Sequence, residues 1–353
     1  MLKSILIALA VALASLPAAI PAMAQTDQSA RWSIAIHGGA GTIERSRITP
    51  EKDKEIRAAL NAALTRGTEI LKAGGSAMDA ITATIIMLED DPNFNAGKGA
   101  VFTWDKTNEL DSSIMDGSDL SAGAVAGVTA TKNPILLARA VKDKSPHVML
   151  SGNGADQFSR EQGMEQVTPD YYATPRRLRQ IENVLSKQVS AADVDYKLGT
   201  VGAVAMDQNG NMAAGTSTGG MTGKRWGRIG DSPVIGAGTY ADNRSCAISA
   251  TGAGEYFIRL GVAHEICTRI KLKEKDRAPS QDGQEGEGPL QPSIVQKIAD
   301  DVIAELGVLG GTGGIIFATP WGQAGYSFNT PGMYRGRATS AEAQSVAIYG
   351  DED

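Results

Sequence analysis

Residues 199–206, Gly-Thr-Val-Gly-Ala-Val-Ala-Met, constrain the fold more than any other stretch. Small and branched apolar residues alternate loosely there, which reads as a buried β-strand. Asp207-Gln208-Asn209-Gly210 turns the chain, and residues 211–217 return as a second strand. Thr200 opens this central hairpin, directly after a glycine and a polar run. Scission of the Gly199–Thr200 bond would leave Thr200 with a free α-amine beside its own hydroxyl. Such an amine titrates at about 7.7–8.0. It can take the hydroxyl proton near neutral pH, so one residue would supply nucleophile and base. The other reading of Thr200 is a β-branched strand residue with no further role.

The remaining pattern sets this hairpin in a layered molecule. Residues 32–36 read as a strand ending in His37-Gly38-Gly39-Ala40-Gly41. Thr49-Pro50 is a helix start, and Ile56, Leu60, Leu64, Gly67 and Leu71 share one helical face. Gly74-Gly75 ends that helix, and Ser76 with Asp79 forms a capping box for a second one reaching Leu88. Strands are expected over 100–104, 109–115 and 122–129, and a helix from Asn133-Pro134. Residues 147–150 read as a short buried strand with His147 packed, followed by a helix from Thr174-Pro175 to Lys187. Residues 188–199 read as a mobile linker.

Beyond the hairpin lies a glycine-rich loop, 219–231, then strands over 233–239 and 245–250. Thr251-Gly252-Ala253-Gly254 opens a helix carrying Phe257, Leu260, Ala263, His264 and Cys267. His264 and Cys267 lie three apart; without a third ligand, two core residues fit better than a metal pair. Residues 271–291 read as an exposed loop, 293–306 as a helix, and 313–319 with 324–329 as a closing hairpin. Strands and helices come in blocks rather than in βαβ alternation. That predicts an α+β, four-layer αββα sandwich of two antiparallel sheets, with no domain boundary in the mature chain.

Composition narrows the function classes. The formal charge of −6 argues against nucleic acid or an anionic membrane as partner. Two cysteines and three histidines leave no basis for a disulfide scaffold or a zinc site. Lys3, the apolar residues 5–16 and Ala22-Met23-Ala24 form a signal peptide, 1–24. The mature chain is then expected in the periplasm or outside the cell, free of the membrane. Gly215-Thr216-Ser217-Thr218-Gly219 matches the G-x-S-x-G elbow of serine esterases, with Ser217 as nucleophile. A glycine-rich loop follows it where a helix is required, and His264 sits mid-helix, so that context fails.

Several motifs converge on one family. They are His37-Gly38-Gly39-Ala40-Gly41, Phe94-Asn95-Ala96-Gly97, Met115-Asp116-Gly117, Gly199–Val204, Ser217–Met221, Gly227–Pro233, Thr251–Glu255 and Asn329–Tyr334. In this order the chain resembles the plant-type L-asparaginases/isoaspartyl peptidases, which are threonine N-terminal-nucleophile hydrolases. Glycosylasparaginases share that fold but carry Asp before the nucleophile, so Gly199 favours the asparaginase/isoaspartyl peptidase branch.

The resemblance implies an enzyme that cuts itself between Gly199 and Thr200, giving halves 25–199 and 200–353. These would assemble as an (αβ)2 pair of heterodimers. Thr200 would be the nucleophile, with Thr218 beside it. The Thr251 hydroxyl and Gly252 N–H would form the oxyanion hole. A helix start there would favour negative charge, and Thr251 also reads as a plain N-cap. Arg228 and Asp231 would grip the substrate α-carboxylate and α-ammonium, with Gly254 and Asn95 nearby; without the other motifs they read as a surface i,i+3 pair. An enzyme holding both α-groups must cleave a side-chain amide, that of L-asparagine or of an N-terminal isoaspartyl peptide.

No catalytic cofactor is implied. The main-chain carbonyls of Leu88, Glu89, Asp91, Phe94, Ala96 and Lys98 would hold a structural sodium ion. Two stretches depart from the family pattern: Asp90-Asp91-Pro92-Asn93 is more acidic, and 271–291 is longer. A non-catalytic periplasmic amino-acid-binding protein using Arg228 and Asp231 is the other reading. It would not self-cleave.

Overall fold

The computed structural model describes residues 31–186, 199–276 and 290–352. The signal segment, the linker up to residue 198 and most of the 271–291 loop lie outside the described residues.

In chain order the first half comprises β1 (Ser33–Gly41), α1 (Pro50–Lys72), α2 (Ala77–Glu89), β2 (Leu110–Asp116) and β3 (Ala122–Val128). Then come α3 (Pro134–Lys144), β4 (Met149–Ser151), α4 (Gly152–Glu161), α5 (Pro169–Tyr172) and α6 (Pro175–Ser186). The second half holds β5 (Val201–Met206), β6 (Met212–Thr218), β7 (Thr239–Asp242), β8 (Cys246–Gly252), α7 (Gly254–Leu260) and α8 (Val262–Lys275). It closes with α9 (Pro292–Val308), β9 (Gly313–Ala318), β10 (Ala324–Phe328), β11 (Gly332–Thr339) and β12 (Ser345–Tyr349).

Two sheets result, ordered β12-β11-β1-β5-β6-β2-β3-β4 and β10-β9-β8-β7. Pairing is antiparallel except where β4 joins β3 in parallel. The hairpin expected around Thr200 is β5–β6, with Val201 opposite Ser217 and Met206 opposite Met212. It lies at the middle of the larger sheet.

Strand alternation builds three cores. On β5, Val201, Ala203 and Ala205 face the core shared with α1, α2 and α3, while Val204 and Met206 face the second sheet. β8 and β9 do the same. Ile248 and Ile315 pack under α8 and α9, and Ala247 and Ile316 face the larger sheet. In β1 a bulge between His37 and Gly39 shifts the alternation, so Ala40 joins Ala35 between the sheets. Helix, sheet, sheet and helix therefore stack as the expected αββα sandwich.

Local signals worked where the structure is local. Thr49 caps α1 by accepting from Lys52 N, and Ile56, Leu60, Leu64, Gly67 and Leu71 are all buried. Each large apolar side chain on that face contributes about 1.5–3 kcal/mol through burial. Ser76 caps α2 by accepting from Asp79 N at 3.0 Å.

Other expectations need correction. Residues 100–104 are buried loop, not strand, because their backbone bonds elsewhere: Val101 N to the Asn95 side chain, Trp104 N to Lys224 O. Most of 233–239 is loop as well, with β7 beginning only at Thr239. The strand expected at 32–36 continues through the glycines to Gly41. His147 is exposed, since β4 forms the outer edge of its sheet. The single helix expected from Thr251 breaks at Gly261, which is left-handed (φ 62°). α8 then runs to Lys275, so 271–275 is helix rather than loop. β11 and β12 follow the hairpin read as the chain's end. Cys267 is not simply a core residue: it forms a disulfide with Cys246, clipping α8 to β8.

Candidate active site

Thr200 sits just outside the β5 ladder, only 8% exposed. Its hydroxyl lies 3.1 Å from that of Thr218, the last residue of β6. Thr218 Oγ1 also accepts from Gly220 N at 2.9 Å. Gly220 is left-handed (φ 77°), which turns the chain back over the Thr218 hydroxyl. Asn95 braces this turn: its Nδ2 donates to Gly220 O at 2.7 Å, and its carbonyl accepts from Gly219 N.

Thr251 and Gly252 end β8 rather than beginning a helix. The N-cap of α7 is Ala253, so the N-cap reading of Thr251 fails. β8 packs across the sandwich on β5, with Ser249 directly against Gly202. A step of two residues takes each strand to Thr251 and to Thr200. The Thr251 hydroxyl is buried and has no hydrogen-bond partner among the described residues. Such an orphan is costly unless something binds it.

The same end of the sandwich holds the charged pair. A Cβ on Gly254 would lie 2.7 Å from Asp231 Oδ1 and 3.1 Å from Arg228 Nη2, so the 251–254 turn packs on both side chains. Asp231 is 4% exposed and its Oδ2 has no partner among the described residues. Burial pushes its carboxyl up to about 7, against the pull of Arg228. Arg228 does not pair with Asp231. Its guanidinium is bidentate with Glu255, at 2.8 and 2.9 Å. Glu255 is an acid in the first turn of α7, a position where the helix dipole favours negative charge and the sequence alone carries a readable signal.

Sequence reasoning also left His37 without a role. The structure buries it completely, with Nδ1 2.9 Å from Thr200 O and Nε2 2.9 Å from Ser249 Oγ. Burial pushes the imidazole down to about 3, which keeps it neutral. Ser217 points to the opposite face of β6, where its hydroxyl donates to the buried Glu89 at 2.6 Å. His264 is exposed on α8. The serine-esterase constellation is therefore absent.

The 88–98 loop curls on itself. Lys98 N donates to Glu89 O at 2.7 Å, and a Cβ on Gly97 would collide with that carbonyl. A Cβ on Gly99 would lie 2.7 Å from both Phe94 O and Pro92 O. Both glycines thus pack directly on main-chain carbonyls, of which Glu89 O accepts from Lys98 N and Pro92 O from Arg176 Nη2. No group of three or more His, Cys, Asp or Glu able to hold a metal occurs among the described residues. A cavity of about 490 Å³ opens on the Gly199 side, lined by Gly38, Asn95, Gly199, Arg176, Arg177 and Tyr334; Arg228, Asp231 and Thr251 do not line it.

Two packed sheets between helices, with a threonine at the head of the central strand, make this an N-terminal-nucleophile hydrolase fold. The asparaginase family model matches residues 30–285, and the chain belongs to that family. It is 44% identical over 323 residues to the isoaspartyl peptidase of Escherichia coli K12, covering 90% of this chain and 95% of that protein. The isoaspartyl peptidase of Salmonella typhimurium is 43% identical, over 90% of this chain and 98% of its own. The human isoaspartyl peptidase/L-asparaginase is 45% identical over 232 residues, 65% of this chain and 74% of that protein.

Proposed function

We propose that this chain is a self-processing amidohydrolase that releases L-aspartate from N-terminal isoaspartyl peptides and from L-asparagine. The observation carrying this reading is the Thr200–Thr218 hydroxyl pair at the head of the central strand, with Gly199 still joined in front of it. Scission of Gly199–Thr200 frees the α-amine of Thr200. That amine takes the hydroxyl proton as Thr200 Oγ1 attacks the substrate side-chain carbonyl, and Thr218 orients the oxygen. The tetrahedral oxyanion is held by the orphan Thr251 hydroxyl and the Gly252 N–H. The protonated α-amine gives its proton to the departing amine or ammonia. Water then attacks the β-aspartyl ester, returns a proton to Thr200, and releases aspartate.

Asp231, whose buried carboxylate oxygen lacks a partner, receives the substrate α-ammonium. Arg228 receives the α-carboxylate, in the bidentate geometry Glu255 now occupies. Asn95 acts by holding the 219–220 turn beside the substrate, and Gly254 leaves room for the clamp. A sodium ion in the 88–98 cradle would be structural, held by the carbonyls of Leu88, Glu89, Asp91, Phe94, Ala96 and Lys98. It would stiffen the loop that presents Asn95.

The reading extends to compartment and assembly. A cleaved signal peptide, 1–24, would deliver the chain to the periplasm or the exterior; the Cys246–Cys267 disulfide supports an oxidising compartment. Halves 25–199 and 200–353 would remain together and pair as (αβ)2.

Denaturing electrophoresis tests the proposal. Purified protein is expected to resolve into two chains, the shorter beginning at Thr200 by N-terminal sequencing. Thr200→Ala should remain one chain and release no aspartate. A full-length active enzyme would refute the mechanism, and a full-length inactive one would favour the binding protein.

A further inference from the structure

Scission creates a problem that the fold must solve. Thr200 precedes β5, and the β5–β6 ladder begins at Val201. Once Gly199 is detached, Thr200 is a chain terminus outside the ladder, and termini fray unless tied. Among the described residues its side chain and carbonyl are tied by the hydroxyl contact to Thr218 and the carbonyl contact to His37.

The protons on that second tie can be assigned link by link. A carbonyl oxygen only accepts, so His37 Nδ1 donates to Thr200 O at 2.9 Å. The ring is fully buried against hydroxyls and carbonyls and stays neutral, so Nε2 carries no proton. Ser249 Oγ, 2.9 Å away, must donate to it. With its one proton committed, Ser249 accepts from Thr216 Oγ1 at 2.7 Å. Thr216 then accepts from Thr239 Oγ1 at 2.5 Å. At the far end Ser113 divides its proton between Thr239 at 2.8 Å and the carbonyl of Ser232 at 2.6 Å. Thr216 Oγ1 also lies 3.2 Å from Gly238 O and Thr239 Oγ1 3.4 Å from Ser232 O, carbonyls that share the protons of these two hydroxyls. The direction is fixed at the two links to His37, where a carbonyl accepts on one side and a bare ring nitrogen on the other.

The strands make room for this relay. His37 lies opposite Gly202 in the β1–β5 register. A Cβ on Gly202 would collide with both His37 Nε2 and Ser249 Oγ. The glycine two residues beyond the nucleophile is thus the space that the imidazole and the serine occupy.

We propose that His37, as the Nδ1–H tautomer heading this buried hydroxyl relay, is a positioning residue that locks the Thr200 carbonyl and so keeps the freed amine and hydroxyl in attacking geometry. This rests on Thr200 being the nucleophile; the relay itself is tested without any activity. The chain has three histidines, so 15N-histidine NMR is tractable. In uncut Thr200→Ala protein, His37 is expected to show a protonated Nδ1 and bare Nε2, unchanged between about pH 5 and 8. The exposed His147 and His264 serve as internal comparisons. An Nε2–H tautomer, or a His37 that becomes imidazolium in that range, overturns the proposal.

Kinetics of the cleaved enzyme on a β-aspartyl dipeptide give the second arm. His37→Ala should lower kcat by at least about tenfold with KM nearly unchanged. His37→Asn, which offers an amide N–H near the Nδ1 position, should recover a large part of that loss. Equal activity of the two variants, or a loss confined to KM, overturns the positioning role. Should His37→Ala fail to fold, the tautomer measurement decides alone. Loss of cleavage in Thr200→Cys or Thr200→Ser together with an intact His37 signature would instead count against the nucleophile assignment.

Discussion

At the scale of single residues, two of the buried polar atoms that find no hydrogen-bond partner among the described residues lie at the site. Buried groups normally find partners, so the orphan Thr251 hydroxyl and Asp231 Oδ2 are places where stability has been given up. Asp231 titrates near 7 because burial opposes its charge. Only the ionised form attracts an α-ammonium. Lowering the pH through 7 should therefore raise KM for asparagine or a β-aspartyl dipeptide. Asp231→Asn should raise KM at all pH values and abolish this dependence, as read from initial rates. The linkage sign is fixed too. The folded-state value lies above the ordinary 3.8, so this group's stabilising contribution is full below about pH 4 and lost as pH rises through 7. Asp231→Asn should flatten the thermal-unfolding midpoint across that window.

At the scale of elements, two devices hold the catalytic strands in place. The Cys246–Cys267 bridge fastens α8 to β8, the strand that carries Thr251 and ends in Gly252. Replacing both cysteines by alanine should lower unfolding stability by about 2–4 kcal/mol in a denaturant titration. The 88–98 loop is the second. If its carbonyls hold sodium, exchanging sodium for a bulky organic cation should lower the unfolding temperature and leave the uncut Thr200→Ala fold otherwise intact. An unchanged temperature would remove the ion from the account. Helices α1 and α2 were readable at this scale because caps and a 3.6-residue apolar period are local. Strands β11 and β12 were not. β11 reads Gly-Met-Tyr-Arg-Gly-Arg-Ala-Thr, and its Arg335 is fully buried by donating to Tyr349 O and lying against the Tyr326 ring. A buried arginine hides a strand from any test based on apolar alternation.

At the scale of the whole molecule, the order of the larger sheet decides what scission does. β1 pairs with β5, and β6 with β2, so strands from residues 25–199 and 200–353 alternate within one sheet. Separating the two halves would break three ladders, β1–β11, β1–β5 and β2–β6, and open two cores. Cleaved protein should run as one species in native electrophoresis and size exclusion, and as two chains only after denaturation. Dissociation without unfolding would contradict this topology.

By itself the sequence determined the buried hairpin, the threonine behind a glycine at its head, the capped helices and the αββα layering. Each is written in neighbouring residues, through side-chain alternation, caps and turn chemistry. Only the tertiary structure decided that Cys246 meets Cys267, that Arg228 turns to Glu255, and that Thr251 lies in a strand packed on β5. It alone enclosed His37 between the sheets, where the Thr200 carbonyl and the Ser249 hydroxyl, from distant segments, fix its proton. Such pairings join residues separated by tens to hundreds of positions, and no local pattern encodes which of many polar side chains will be left in the same dry space.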